Sequence, residues 1–236
     1  MSRETQIKLE LTILEKSFAN GAISSGFKLY NKYSNGVTII QDDGKPIPVV
    51  VKNAQTAYKY LQKCKELLNT SEQKNKLHIT RLTLTDFRKF KTLKVKLHSN
   101  LTVIIGENGA GKTTVIDGII KSLSWLSANI LKQGGVGFRV TEYDVNIDSM
   151  SFAEVKLQAS LNKNTQYAIF LRKTAKGALK AEKSQLEAFE ELGSLYRAID
   201  YDERSNGGYG INLPLIVSYS VNRTNIKSNK TYDPKK

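Results

Sequence analysis

Eight residues near the middle of the chain could hold phosphate groups. The stretch Gly106-Glu107-Asn108-Gly109-Ala110-Gly111-Lys112-Thr113 fits the pattern G-x-x-x-x-G-K-[ST] at every fixed position. Its glycines let backbone N–H groups turn inward around phosphate oxygens, and a helix that begins here adds partial positive charge. Lys112 is predicted to reach the β and γ phosphates of a nucleotide, and the Thr113 hydroxyl is predicted to hold Mg²⁺. The predicted binding residues are Gly106, Asn108, Gly109, Ala110, Gly111, Lys112, Thr113 and Thr114.

Such a loop works only between a strand and a helix. Residues 101–105 (LTVII) form a short β-branched run, which predicts a buried strand before the loop. After Lys112, apolar residues recur at the helical period of about 3.6 residues, and Gly134-Gly135 supplies a stop. The predicted buried stripe of this helix consists of Ile116, Ile119, Ile120, Leu123, Leu126 and Ile130.

The composition of the chain is that of an ordinary globular protein. Its 236 residues, of which 40% are hydrophobic and 25% charged, suffice for one large domain or for one medium and one small. No apolar run approaches the roughly 18 residues that span a bilayer, and no signal-peptide core is found at the start. A single cysteine, Cys64, excludes an internal disulfide and a cysteine zinc cluster. We therefore expect a cytoplasmic protein without membrane contact.

The chain carries a formal net charge of +14. Basic and acidic side chains number 12 and 7 in residues 1–76, 10 and 6 in residues 77–150, and 14 and 9 in residues 151–236. The excess is spread evenly and does not form one stripe. It suits contact with nucleic-acid phosphates without sequence preference, and a solvated basic surface is the alternative.

Residues 1–76 are predicted to form a helical region that ends in a polar linker, residues 69–76. The first helix should end near Asn20-Gly21, the second should end at Asn35-Gly36, and a proline-containing connector (DDGKPIPVV) should lead to a third at residues 54–68. Their apolar stripe is too wide for three short helices to cover alone, so some of it should pack against the lobe itself, a second subunit or a partner protein. Of these, a subunit or partner is expected, because the polar linker lets the helices sit away from their own lobe. The stripe consists of Ile7, Leu11, Leu14, Phe18, Phe27, Leu29 and Tyr30.

Residues 77–236 change to a β-rich pattern. Two strands joined by the short loop at residues 86–90 precede the phosphate loop, and alternating residues at 153–161 and 165–173 predict a β-hairpin after its helix. Ser184-x-x-Glu187 predicts a capping box that opens an amphipathic helix. Residues 213–219 (LPLIVSY) predict a final strand.

This order of elements carries a resemblance to a known family. The stretch from residue 79 to 119, ITRLTLTDFRKFKTLKVKLHSNLTVIIGENGAGKTTVIDGI, resembles the opening of the SMC/RecN/RecF-type ABC ATPases, and LPLIVSYSVNR resembles a later part of their first lobe. LSWLSANILKQGGVGFRVTEYDV is similar to the PtuA-type ATPases of Septu and retron-associated anti-phage systems. The implied fold is α/β: the first lobe of an ABC-type P-loop ATPase, a mixed sheet with an antiparallel β subdomain, preceded by a small α-helical region.

The resemblance implies a function and a set of partners. The ligand would be ATP with Mg²⁺, and Arg88 and Lys89 would reach the ribose or α-phosphate side of it. Arg223 would lie near the site or at a subunit interface. Such ATPases act as homo-oligomers that hold an HNH nuclease (PtuB-like) in check. In retron systems a reverse transcriptase with its RNA–DNA product joins the complex.

Hydrolysis requires groups that the sequence does not supply in the expected form. This class of ATPase uses an acidic pair at a strand end and a Ser-Gly-rich turn, and neither is found in residues 77–236. Asp202-Glu203 is the only Asp-Glu dipeptide, and it ends a predicted helix. Residues 1–236 alone are therefore expected to bind ATP without hydrolysing it. Two alternatives stay open: a RecF-like or SMC-like ATPase of DNA repair or chromosome maintenance, and a non-catalytic scaffold that bound nucleotide stabilises.

Overall fold

Helices dominate the first third of the chain, and an α/β lobe follows. The computed structural model describes residues 1–69 and 77–219. The helices are α1 (Arg3–Ala19), α2 (Ile23–Asn35), α3 (Ala54–Asn69), α4 (Lys112–Leu131) and α5 (Glu187–Ser205). The strands are β1 (Val37–Ile40), β2 (Pro46–Val50), β3 (His78–Phe87), β4 (Phe90–Lys96), β5 (Phe152–Asn162) and β6 (Thr165–Thr174). The predicted α/β class is confirmed, while the predicted linker, apart from Asn69, lies outside the described residues.

The lobe is built on a four-stranded antiparallel sheet with the order β4-β3-β5-β6. Strands β5 and β6 form the predicted hairpin, with Leu157 opposite Ile169. Alternate residues of the sheet face α4 and α5, so side chains such as Leu84 and Val155 are completely buried. Helix α4 packs so closely that a side-chain carbon at Gly118 would come within 3.1 Å of Leu84 Cδ2.

The predicted strand before the phosphate loop is not formed in the described structure. Residues 101–105 belong to no sheet, and Leu101, Val103 and Ile105 are 73%, 67% and 89% exposed. The predicted strand at residues 213–219 is also absent, and Leu215 is 89% exposed. Both predictions fail for the same reason: a strand needs a hydrogen-bonding neighbour, and no described strand pairs with either segment.

Helix α4 occupies its predicted place, but its buried face overlaps only partly with the predicted stripe. Ile116 is 47% exposed, and the buried positions include Val115 and Trp125 together with small or polar residues that fit close to the sheet. Part of the predicted isoleucine and leucine stripe faces the second extended segment, because Ile119 and Leu123 line a groove of about 350 Å³ together with residues 214–216. Leu126, by contrast, is fully buried in the core, so the predicted stripe is divided between the core and this groove.

The predicted connector after α2 contains a small β-ribbon. Strands β1 and β2 pair antiparallel, with Thr38 opposite Pro48 and Ile40 opposite Pro46. Proline cannot donate a ladder hydrogen bond, but each strand of a two-stranded ribbon has an open edge where that donor is not needed. The prolines therefore do not prevent pairing, and the predicted connector contributes a strand to this ribbon.

The N-terminal helices pack against their own lobe. Ile23, Phe27 and Leu29 are at most 2% exposed and belong to the same apolar cluster as the residues of β5, β6 and α5. The Ile23 N–H donates to Thr165 Oγ1 over 2.9 Å, and the Asn162 amide donates to a carbonyl in the turn after α1. The expectation that a subunit or partner covers this stripe is wrong, because most of it is buried within this chain, where α1, α2 and α3 pack on one another and on the lobe.

Helix α5 buries its predicted apolar face without the predicted capping box. The helix begins at Glu187 after Leu186, and no side chain caps its N-terminus. The Ser184 hydroxyl instead accepts a hydrogen bond from the Arg172 N–H of β6 over 2.9 Å. The neighbouring strand takes the hydroxyl that the motif would have used.

Among the described residues, no helix combines the length and the apolar character that a membrane-spanning segment needs.

Candidate nucleotide-binding site

The phosphate loop lies at the N-terminus of α4. Gly111 is the N-cap residue with φ of +98°, and Gly109 has φ of +79°, so both occupy the left-handed region that favours glycine. Gly111 carries no side chain that could cap the helix, so the amides of the first turn stay available to an anionic ligand. The Lys112 ammonium donates to the carbonyls of Gly106 and Glu107 over 2.7 and 2.8 Å, which holds it over the loop.

The β3–β4 turn braces this loop from one side. Lys89 Nζ donates to the Gly109 carbonyl over 2.5 Å and lies 5.8 Å from the centre of the Phe90 ring. Phe90 contacts the loop so closely that a side-chain carbon at Gly111 would come within 2.5 Å of its Cζ. The turn itself is tight, since Asp86 and Arg88 both have positive φ. The structure therefore places Lys89 beside the phosphate loop.

Arg88 points its donors at two carboxylates. Its Nη1 lies 2.6 Å from Asp117 Oδ2 on α4, and its Nε lies 3.0 Å from Asp144 Oδ1. Although burial opposes the charged form, the hydrogen bonds to Asp117 and Asp144 raise the pKa of Arg88 above its ordinary value. Asp144 is also 3.0 Å from Lys121 Nζ. This ion-pair cluster fixes the turn to α4, one and a half turns beyond the loop.

Asp144 is the buried centre of that cluster. Burial acts to raise its pKa, but hydrogen bonds from Thr141 and Lys121 outweigh burial and lower the pKa below its usual range. The Thr141 N–H and the Thr141 hydroxyl both donate to Asp144 Oδ2, over 2.9 and 3.0 Å, and they close a capping box around residues 142–144. The carboxylate is therefore ionised and held in one orientation.

The structure brings most of the predicted site residues together. Those in one contiguous loop and first helical turn are Gly106, Asn108, Gly109, Ala110, Gly111, Lys112, Thr113 and Thr114. Of these, Thr113 is exposed at the first turn, where its hydroxyl can meet a cation beside the phosphates, while Thr114 is buried. Lys89 joins them, and Arg88 lies in the ion-pair cluster next to them. Arg223 lies outside the described residues.

The sequence reasoning missed Asp117, Lys121, Asp144 and Phe90. One signal was available, because Thr141-x-x-Asp144 fits the capping-box pattern. Asp117 and Lys121 also stand four residues apart on one helix, which is the spacing of neighbouring side chains. The contact of Phe90 with Gly111 has no signal in the sequence, because it depends on how the β3–β4 turn folds against α4.

The Asp202-Glu203 pair lies at the end of α5, far from the phosphate loop in sequence, and its contacts are with other elements. Asp202 Oδ2 accepts from the Gln62 amide over 2.8 Å, and Glu203 Oε1 lies 2.7 Å from Lys65 Nζ. These carboxylates therefore fasten α5 to α3. Within residues 1–69 and 77–219, no group of three or more His, Cys, Asp or Glu residues is placed to hold a metal ion.

Comparison with known proteins agrees with this geometry. Residues 81–235 match the family model described as an AAA domain (AAA_23). The chain is 28% identical to the retron Vc95 probable ATPase of Vibrio cholerae serotype O1 biovar El Tor, over 75% of this chain and 33% of that protein. It is 22% identical to the retron Ec83 probable ATPase of Escherichia coli, over 94% of this chain and 38% of that protein.

A shorter match has a higher identity. The chain is 54% identical over 43 residues to the DNA replication and repair protein RecF of Halalkalibacterium halodurans, which is 18% of this chain and 12% of that protein. The matches to the two retron ATPases span only 33% and 38% of those proteins. The chain belongs to the AAA domain family, and it is similar to two probable ATPases of retrons.

Proposed function

We propose that this chain binds ATP with Mg²⁺ at the N-terminus of α4. The observation that carries the proposal is the position of Lys112, which begins the helix behind a left-handed Gly111 and projects its ammonium over the loop. The loop amides would hold the phosphates, Lys112 would contact the β and γ groups, and the Thr113 hydroxyl would hold the cation. Lys89 and Arg88 would border the ribose or α-phosphate side. Arg223 is proposed as a further contact at the site or at a subunit interface.

We infer that the whole protein is the ATPase subunit of a bacterial anti-phage defence complex. In this proposal, nucleotide-dependent assembly of a cytoplasmic homo-oligomer controls an associated HNH nuclease of the PtuB kind. The likeness to two ATPases whose names place them with retrons supports this setting. A reverse transcriptase with its RNA–DNA product would then be a further partner, and the even positive charge suits contact with nucleic-acid phosphates.

Two other functions have specific support. A DNA-repair ATPase of the RecF or SMC kind is favoured by the 54% identity to RecF over 43 residues. A non-catalytic scaffold is favoured by the described site, in which carboxylates near the loop are engaged by Arg88 and Lys121. The defence-complex proposal differs from both alternatives in one respect: it requires that the activity of the associated nuclease depends on ATP binding by this protein.

The test compares Lys112→Ala with a matched control, Lys163→Ala, in the full-length protein. Lys163 is an exposed lysine at the tip of the β5–β6 hairpin, outside the phosphate loop. Loss of a charge-assisted contact worth about 1.5–3 kcal/mol should weaken ATP·Mg²⁺ binding roughly 10- to 150-fold in Lys112→Ala only. Isothermal titration calorimetry measures the affinity, and co-purification with the nuclease measures assembly. Equal affinity in both variants would contradict the site, while lost affinity with unchanged nuclease control would contradict the proposed role.

A further inference from the structure

A second cleft lies between the N-terminal helices and the lobe. It has a volume of about 1300 Å³, and its walls come from α2, α3 and α5 together with Gln133, which follows the end of α4. Pockets for small ligands typically hold about 300–1,000 Å³. The cleft is therefore large enough for a segment of an extended polymer.

Aromatic rings stand on the walls of the cleft. Tyr201 is 75% exposed and Tyr58 is 49% exposed, so neither ring is buried in the core of the protein. Tyr30 is half-buried and stacks on Phe27, with 5.4 Å between ring centres and an angle of 22° between planes. Three tyrosines thus offer ring faces or edges to a ligand inside one cleft.

The cleft also presents cations that have no carboxylate partner among the described ion pairs. Lys52 is exposed at one wall. On α5, the Arg197 guanidinium donates to the Asn129 carbonyl and, over 3.1 Å, to Ser194 Oγ, so its positive charge is not neutralised.

A single carboxylate, that of Asp202, lines the described part of the cleft. Its oxygens are already engaged, because the Gln62 amide donates to it over 2.8 Å and Lys65 Nζ lies 3.5 Å away. The walls are therefore electropositive overall, which favours an anionic ligand over a basic or neutral one.

We infer that this cleft binds a short stretch of single-stranded nucleic acid. Proteins hold single strands without sequence preference by two kinds of contact. Unpaired bases stack on aromatic rings, and cationic side chains bind the phosphates of the nucleic-acid backbone. In this arrangement, bases stack on Tyr58 and Tyr201 while phosphates meet Lys52 and Arg197. A duplex fits poorly, since its bases are stacked on one another and their faces are not available to tyrosine rings.

This cleft is separate from the proposed ATP site. Gln133 and Asn129 belong to the C-terminal end of α4 and its exit, whereas Lys112 begins the same helix. A helix of 20 residues is about 30 Å long, so the two sites lie at opposite ends of it. Binding of an oligonucleotide and binding of ATP can therefore be measured independently.

The experiment uses the full-length protein and a fluorescein-labelled oligothymidylate of about 12 nucleotides. Fluorescence anisotropy gives its affinity for wild type, Tyr58→Ala, Tyr201→Ala, Tyr201→Phe and Lys52→Ala. Tyr143→Ala and Lys163→Ala are the matched controls, because Tyr143 is 95% exposed and both side chains lie outside the cleft. A duplex of the same length is the second probe.

We expect each tyrosine-to-alanine change to weaken binding of the single strand by about tenfold, as the loss of one stacked base predicts. Tyr201→Phe should retain binding because it keeps the ring. Lys52→Ala should weaken binding and reduce its salt dependence. The controls should resemble wild type, and the duplex should bind more weakly than the single strand. All of these variants should keep the ATP affinity of wild type.

Three results would overturn the inference. The first is equal affinity of the cleft variants and the controls, which would place oligonucleotide binding on another basic surface. The second is equal binding of duplex and single strand. The third is loss of a protein partner from the cleft variants while oligonucleotide affinity stays unchanged, which would identify the cleft as a protein-binding surface. Thermal unfolding of each variant verifies that these exposed substitutions leave the fold intact.

Discussion

The contact between Phe90 and Gly111 limits which residue can occupy position 111. A side-chain carbon there would come within 2.5 Å of Phe90 Cζ, whereas a carbon at Gly109 would have no neighbour within 4 Å. Both glycines have positive φ, so alanine costs about 1–2 kcal/mol of backbone strain at either position. Gly111→Ala should therefore lower the free energy of unfolding by about 1–3 kcal/mol more than Gly109→Ala does.

Urea unfolding of the two variants measures that difference. A second substitution, Phe90→Leu, should recover part of the loss in Gly111→Ala because it makes room beside the loop, and it should not improve Gly109→Ala. Equal destabilisation by the two alanines would show that the ring moves away without cost. The aromatic brace would then have no influence on the loop.

Asp144 links the β3–β4 turn to α4, and its ionisation should appear in the pH dependence of stability. Since its pKa is lowered in the folded state, it stabilises the fold above the unfolded value of about 3.9. That contribution is lost as the pH falls through the folded pKa. Asp144→Asn should cost about 1–3 kcal/mol at neutral pH, because Arg88 and Lys121 lose a charged partner.

Urea unfolding between about pH 7 and pH 3 tests this expectation. The difference between wild type and Asp144→Asn should be constant down to about pH 5 and shrink below it. Asp148→Asn is a suitable control, since no ion pair is found for this carboxylate among the described residues. A difference that does not change with pH would show that Asp144 acts through hydrogen bonds of its neutral form.

At the scale of elements, the sequence predicted the ones whose signal is local. The three N-terminal helices, the β5–β6 hairpin and α5 lie where periodicity and glycine stops place them. The segments at residues 101–105 and 213–219 were predicted as strands and are exposed, because pairing depends on a neighbour that the segment itself cannot specify. The capping box at Ser184 failed for a related reason, since Arg172 of β6 takes the hydroxyl.

The packing of the N-terminal helices on the lobe leads to a prediction about their removal. Phe27 is 2% exposed, and Ile23 and Leu29 are fully buried in the shared core. Each such side chain is worth about 1.5–3 kcal/mol of burial, so deleting residues 1–69 should lower the melting temperature by more than about 5 °C. Phe27→Ala alone should cost about 3–5 kcal/mol.

Differential scanning calorimetry of the full-length protein and the two altered forms measures these losses. Leu9→Ala provides the control, because this leucine of α1 is 49% exposed and should be nearly neutral. An unchanged melting temperature after deletion, combined with loss of the oligomer, would mean that the helices serve assembly and contribute little to the core.

At the scale of the whole molecule, the phosphate-loop residues could be identified from the sequence, whereas the side chains that surround the loop could be identified only in part. The fixed spacing of Gly106, Gly111 and Lys112 identifies the loop without any structure, because the ligand dictates those residue types. Phe90 and Asp144 act through tertiary contacts between β4, α4 and residues 142–144, for which sequence spacing gives little warning. The exposed apolar segments at residues 101–105 and 213–219 were mispredicted for the same reason, since pairing depends on contacts that are distant in sequence.

The distribution of carboxylates over the molecule leads to the last prediction. Near the phosphate loop, Asp117 and Asp144 are held by Arg88 and Lys121. Away from the loop, at the end of α5, Asp202 is held by Lys65. A general base must reach the attacking water, and a carboxylate engaged by cations is poorly suited to accept its proton. The polypeptide of residues 1–236 should therefore bind ATP·Mg²⁺ and release no phosphate above the background rate.

A coupled phosphate-release assay on this purified polypeptide measures turnover, and calorimetry on the same preparation measures binding. Lys112→Ala is the control, since it should lose binding and leave the background rate unchanged. Steady phosphate release that Lys112→Ala abolishes would contradict the prediction. In that case Asp117→Asn and Asp144→Asn would show which of the two carboxylates leaves its ion pairs to act on water, because only the variant that lacks the base should lose turnover while keeping ATP affinity.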